Sequence, residues 1–183
     1  DDDDFLAIRM GLGNRPFEVR LKTPKQGFQL YEDELRNLPT EISKKYGILS
    51  NVPLTLDIRT NHTIGIIGSQ KNIRTILYET ILNIISLHSY DEVKLVFVTS
   101  PKQAYIFDDF KNVPHIWSND KKIRFFATNP DEVHFIFNII DETIKEREAS
   151  QDRVNPPIPH FVMIVTESNL LDKEALLRYI HDA

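Results

Sequence analysis

The chain has 183 residues, 41% hydrophobic and 27% charged, a length and balance that fit one domain with or without a small appendage and exclude disordered and fibrous classes. Its formal charge of −5 sits mostly on Asp1, Asp2, Asp3 and Asp4, and the nearly neutral remainder attracts no polyanion, so no nucleic-acid partner is expected. With no cysteine, a disulfide framework and a thiolate zinc site are excluded, and no apolar run reaches the roughly 18 residues of a membrane-crossing helix or follows a basic start as in a signal peptide.

An opening Asp in place of Met points to a piece of a longer chain. The runs Phe5 to Arg9 and Phe17 to Leu21 read as strands, and Gly11, Gly13, Asn14 and Pro16 between them read as a turn, so a hairpin or paired strands are expected. From Glu32 to Lys45, Leu35, Leu38, Ile42 and Tyr46 recur at three- and four-residue steps, a helical face that Pro39 interrupts and restarts. Gly47 and Pro53 bracket a connection. These features set a division into 1–53, an N-terminal strand and helix region, and 54–183, the main domain.

Beyond Leu54, short apolar runs alternate with segments of helical length, the pattern of βαβ units around a parallel sheet. Strands are predicted at Leu54 to Ile58, Ile64 to Ile67, Lys94 to Val98, Arg124 to Ala127 and Phe161 to Val165, with Ile64 to Ile67 and Phe161 to Val165 in the interior. Helices are predicted at Ile73 to Leu87, Pro130 to Glu148 and Asp172 to Ile180. The second carries Asn129 as its N-cap, Pro130 at the first helical position, and Asp131 and Glu132 at the positive end of the dipole. Pro156, Pro157 and Pro159 form a loop into the last strand. The fold class is therefore α/β, a mainly parallel sheet flanked by helices with a small N-terminal β element.

In this architecture the turn after Ile64 to Ile67 is where a phosphate-binding loop sits. Such loops read Gly, four residues, Gly, Lys, then Ser or Thr. The run here is Gly68, Ser69, Gln70, Lys71, Asn72, Ile73, Arg74, Thr75. Gly68 and Thr75 match, whereas Ile73 replaces the second glycine and Arg74 the lysine. A β-branched side chain occupies space that backbone amides need to wrap a phosphate, and a planar guanidinium does not reproduce a compact ammonium. Two readings stand at this point: a degenerate phosphate loop, or a glycine that ends a strand before an ordinary turn.

The apolar run Phe161 to Val165 ends in Thr166 and Glu167, where a nucleotide hydrolase carries Asp then Glu to manage magnesium and water. Thr166 is a neutral hydroxyl and a weak magnesium partner. Two altered motifs, in order and each at a strand tip, favour the first reading.

Asp4 to Gly13 (DFLAIRMGLG), Leu87 to Val98 (LHSYDEVKLVFV), Val113 to Ser118 (VPHIWS), Pro159 to Val165 (PHFVMIV) and the altered loop Gly68 to Thr75 together resemble the FtsK/SpoIIIE-type ATPases of bacterial type VII secretion, the EssC/EccC family, and specifically their membrane-proximal degenerate domain. The resemblance implies a RecA-like pseudo-ATPase with no catalytic residue of its own. It also implies ATP and magnesium bound by other ATPase domains of the same chain, upstream membrane helices, and a place on the cytoplasmic face of the bacterial membrane. Partners implied are those domains, membrane components of the secretion machine, and further copies in a hexamer that exports small helical-hairpin proteins. The family's catalytic residues do not carry over to Ile73, Arg74 and Thr166; only Gly68, Thr75 and Glu167 match.

Other residues carry less. His62, His88, His115, His134, His160 and His181 show no metal-site spacing within a helix and read as structural or surface histidines, so no metal is expected. Trp117, the only tryptophan, reads as a packing residue or an interface anchor. The apolar stripe of Ile73 to Leu87 is too broad for a solvent-facing helix and is expected to be largely covered. Lys71 and Arg74 read as solvated, or as answering acidic groups of a partner. The function expected is a non-catalytic coupling and assembly module of a secretion motor. The alternatives are a weak nucleotide-binding regulatory or residual ATPase domain and an FtsK-type DNA translocase domain.

Overall fold

The computed structural model describes residues 4–18, 37–149 and 158–171. The chain divides into two compact units, 9–56 on the one hand and 1–8 with 57–183 on the other.

The smaller unit is built on a two-stranded antiparallel sheet of β1 (Ala7–Pro16) and β2 (Ile48–Asp57), with helix α1 (Leu38–Tyr46) between them in sequence. The expected turn at Gly11 to Pro16 is therefore wrong: these residues continue the first strand. Its glycines serve the strand itself. Gly11 has φ +154°, and a Cβ on Gly13 would lie 2.6 Å from Leu54 Cδ1, so a side chain there would push the end of the Leu54 side chain aside. Of the second predicted run, residues 19–21 lie outside the described residues. The predicted strand Leu54 to Ile58 falls largely in β2 and so belongs to this sheet rather than the parallel one. Pro39 occupies the first turn of α1, where a missing N–H costs nothing, and the helix starts there instead of running through it.

The larger unit is a three-stranded parallel sheet in the order β4-β3-β5, with β3 at Val93–Val98, β4 at Phe126–Ala127 and β5 at His160–Val165. Every residue of β3 is buried, because helices cover both faces of a central parallel strand. The alternation of a strand sorts its side chains into two cores. Val93, Leu95 and Phe97 join Ile81 and Ile84 of helix α2 (Gln70–Leu87), along with Phe107, Phe110 and Ile116. Val96 and Val98 face the other way, onto Val133, Ile136, Phe137 and Ile140 of helix α3 (Pro130–Ala149). Strand β5 repeats the alternation in register, with Leu95 opposite Val162 and Phe97 opposite Ile164 on the α2 side, and Val96 opposite Met163 and Val98 opposite Val165 on the α3 side. The sheet and its two flanking helices give the α/β architecture of a RecA-like fold.

Three expectations about the sheet need correction. Residues Ile64 to Ile67 form no strand, and Ile67 is 99% exposed. Apolar, β-branched composition suits a strand only where a neighbouring ladder takes its N–H and C=O groups, and no described strand pairs with this run. Phe161 to Val165 pairs on one side only among the described residues, so β5 is an edge strand there. The stripe on α2 is, as expected, largely covered: Ile81 and Ile84 are buried, Ile73, Ile76, Leu77 and Ile85 are half-buried, and Leu82 and Leu87 stay exposed. The predicted strand at Arg124 to Ala127 shrinks to Phe126–Ala127, preceded by an isolated antiparallel bridge from Arg124 to Trp117. The predicted helix at 172–180 lies outside the described residues.

Helix α3 starts as its sequence directs. Asn129 Oδ1 accepts from the Glu132 amide at 2.9 Å, and the Glu132 carboxylate accepts from the Thr128 amide at 2.7 Å and from its hydroxyl at 3.0 Å. Reciprocal bonds of this kind satisfy amides that the first helical turn leaves without partners. Asn129→Ala is therefore expected to destabilise the chain by about 1 kcal/mol, read as a lower urea midpoint with an unchanged slope. An unchanged midpoint would mean that the cap contributes nothing.

Candidate functional site

The segment Gly68 to Thr75 is mostly helix. Helix α2 begins at Gln70, so Ile73, Arg74 and Thr75 lie in its first turns and not in a loop. Ser69 is the N-cap: its hydroxyl accepts from the Asn72 amide at 3.4 Å, and its carbonyl accepts from the Ile73 amide at 3.0 Å. Thr75 Oγ1 donates to the Lys71 carbonyl at 3.2 Å, a bond internal to the helix. Ile73 leans back over the turn, with Cγ1 3.9 Å from where a Cβ of Gly68 would stand. Arg74 points its guanidinium over the ring of Tyr105, 5.4 Å from the centroid.

Thr166 follows the last residue of β5 and extends the ladder by one bond, its amide donating to the Val98 carbonyl at 2.9 Å. Its hydroxyl donates to Thr99 Oγ1 at 2.7 Å. Thr99 is fully buried and follows β3 directly, so two hydroxyls close the carboxyl ends of adjacent strands, where ligands sit in open α/β sheets. Glu167 points elsewhere and accepts from Asn169 Nδ2 at 3.0 Å. Among the described residues no hydrogen bond or ion pair joins Thr166 or Glu167 to Gly68, Ile73, Arg74 or Thr75. No group of three His, Asp or Glu side chains among them is placed to hold a metal ion.

No family model matches the chain. Its sequence is nonetheless 24% identical over 181 residues to the ESX secretion system protein EccC of Geobacillus thermodenitrificans, covering 98% of the chain. It is 26% identical over 185 residues to the type VII secretion system protein EssC of Staphylococcus aureus strain NCTC 8325, and 27% identical to that of strain MW2, covering 97% of the chain in both cases. The chain is similar to the EccC/EssC proteins along its whole length. It spans 12% of the length of each of these relatives.

Within this EccC/EssC-like segment, sequence reasoning singled out Thr166 but missed its partner Thr99. The signal was present: VKLVFV runs into Thr99 as HFVMIV runs into Thr166, so two parallel strands place a hydroxyl at the same level. Histidines read one at a time also conceal a grouping. His115 Nε2 lies 2.9 Å from the carbonyl of His88, and Tyr90 and Lys94 stand around it. Trp117 is half-buried, its indole N–H donates to the Lys111 carbonyl at 3.1 Å, and Arg124 stacks over its ring. The packing reading of Trp117 thus has direct contacts. Trp117 also lines an open pocket of about 290 Å³ with Tyr90 and Pro114. No helix among the described residues is long and apolar enough to cross a membrane.

Proposed function

We propose that this chain is a non-catalytic coupling and assembly module of a type VII secretion protein. It joins a membrane anchor to ATP-hydrolysing domains of the same longer chain, on the cytoplasmic face of the membrane and in contact with its membrane components and with further copies of itself. The observation that carries the reading is the use of the amides at the head of α2. A phosphate cradle needs several backbone N–H groups left free to converge on one anion. Here the amides of Asn72 and Ile73 are already bonded to Ser69.

A magnesium nucleotide fits the remaining residues poorly. Arg74 is turned toward Tyr105, Thr75 bonds within its own helix, and Thr166 offers a hydroxyl already shared with Thr99 where a carboxylate would hold the metal. The likeness to EccC and EssC over nearly all of the chain supports a place in a secretion machine. ATP and magnesium then belong to other domains of that machine.

Titration calorimetry of the 183-residue chain with magnesium ATP tests the reading. No saturable heat is expected at micromolar nucleotide, and no phosphate release. Micromolar binding that disappears in Thr75→Ala would overturn it in favour of a nucleotide-binding regulatory domain. The double change Ile73→Gly with Arg74→Lys is expected to restore little affinity, because the Asn72 and Ile73 amides remain bonded to Ser69.

A further inference from the structure

At the amino end of the parallel sheet, a set of ionisable side chains is enclosed instead of solvated. His115, in the 3-10 turn Pro114–Ile116, is 6% exposed, and Lys94, the second residue of β3, is 2% exposed. The carbonyl of His88, the residue capping the carboxyl end of α2, can only accept, so His115 Nε2 carries the hydrogen of their 2.9 Å bond and Nδ1 is left as the acceptor of the ring. Among the described residues neither His115 Nδ1 nor Lys94 Nζ has a hydrogen-bond partner. The Tyr90 ring stands edge-on to His115 at 6.5 Å and receives the Lys94 ammonium at 5.2 Å from its centroid.

The surroundings come from every element packed there. His88 meets the ring of Phe5 edge-on at 5.0 Å, and Phe5 meets His160 of β5 at 5.1 Å. Asp4 and Glu92 face His88, Asp91 faces Lys94, and Lys94 faces His115. The segment held by this group is anchored to the sheet through Ile116, which is fully buried and whose carbonyl accepts from the Phe125 amide at 2.7 Å.

We propose that His88, His115 and Lys94 form an acid-sensitive latch that holds the Pro114–Trp117 segment against the sheet. With His115 neutral, its single N–H serves the His88 carbonyl and closes the latch. A proton added at Nδ1 creates a second N–H with no acceptor in a buried site and places an imidazolium opposite the Lys94 ammonium. Burial holds the His115 pKa below its usual value, and Lys94 lowers it further against the His88 carbonyl, which raises it. Burial also lowers that of His88, with His115 adding to the effect and Glu92 and Asp4 opposing it. Groups with depressed folded values lend their full stability above the unfolded value of 6.5 and lose it as pH falls through the lower folded values. Each such proton changes the opening equilibrium by up to about tenfold per pH unit.

Trp117, the only tryptophan, sits two residues from His115 and reports the latch directly. Its emission from the 183-residue chain, followed from pH 8 to pH 5, is expected to shift to the red with a midpoint below 6.5, ahead of any loss of far-ultraviolet circular dichroism. His115→Gln keeps a donor for the His88 carbonyl but does not titrate, and should flatten the transition. Lys94→Met removes the facing charge and should move the midpoint to lower pH. If His115→Gln fails to fold at pH 8, Lys94→Met alone decides. No transition in the unaltered chain, or one unchanged by the folded variants, would overturn the latch.

Discussion

On the proposed coupling role, removal of residues 1–183 from a longer secretion protein that contains them is expected to reduce export to background while its other domains, purified alone, hydrolyse ATP as before. The faces of β3 are packed by two separate hydrophobic clusters, with Val93, Leu95, Val96 and Phe97 wholly excluded from solvent. Most substitutions cost about 1 kcal/mol and stability margins are small, so if the site binds no nucleotide, as proposed, its ordered core points to selection on the folded surface itself. Lys71→Glu probes that surface at the exposed head of α2, where no ion pair among the described residues engages Lys71. Trp117→Ala probes the pocket beside Tyr90, and its thermal stability must be measured alongside because the indole bonds to Lys111. Export is expected to fall in at least one variant that keeps its melting temperature. Wild-type export both in every stable surface variant and in the deletion would make the module dispensable and end the coupling reading.

Phe97→Ala is expected to destabilise the chain by about 3–5 kcal/mol, a large part of the stability of a domain this size. Phe97 has no exposed surface and stacks on Phe107 with centroids 4.5 Å apart and on Phe126 at 6.0 Å. Truncation leaves a cavity whose walls are a strand and two rings that cannot collapse together without breaking the ladder from Phe97 to Phe126. Urea denaturation followed by circular dichroism measures the loss. A cost under about 1 kcal/mol would mean that the cluster repacks freely and is not a rigid core. Because Phe97 lies far inside the sheet, its variant also calibrates the export assay by showing how much export falls when only folding is impaired.

Sequence alone determined the elements whose signals are local. The caps of α3 were legible because Asn129, Pro130 and Glu132 each act within one turn of the helix they start. Strand β3 was legible because burial on both faces demands an apolar run, which Leu95 to Val98 supply after Lys94, and the two families of side chains that follow from its alternation meet α2 and α3 as that demand requires. The likeness to EccC and EssC was legible through ordered short runs spread over the chain.

What needed tertiary structure was everything set by a neighbour distant in sequence. Ile64 to Ile67 has the composition of a strand but no described partner, while Gly11 to Pro16 has the composition of a turn and is held extended beside β2. Whether Gly68 to Thr75 is loop or helix depends on where the first helical bonds form, and Ser69 decides it by capping a helix that starts at Gln70 instead of Ile73. The Thr99–Thr166 hydroxyl pair joins residues 67 apart in the chain, and the His88–His115 bond joins residues 27 apart. Periodicity records which face a residue shares with its own element; which side chain from another element arrives to meet it is fixed only when the sheet brings the strand tips together.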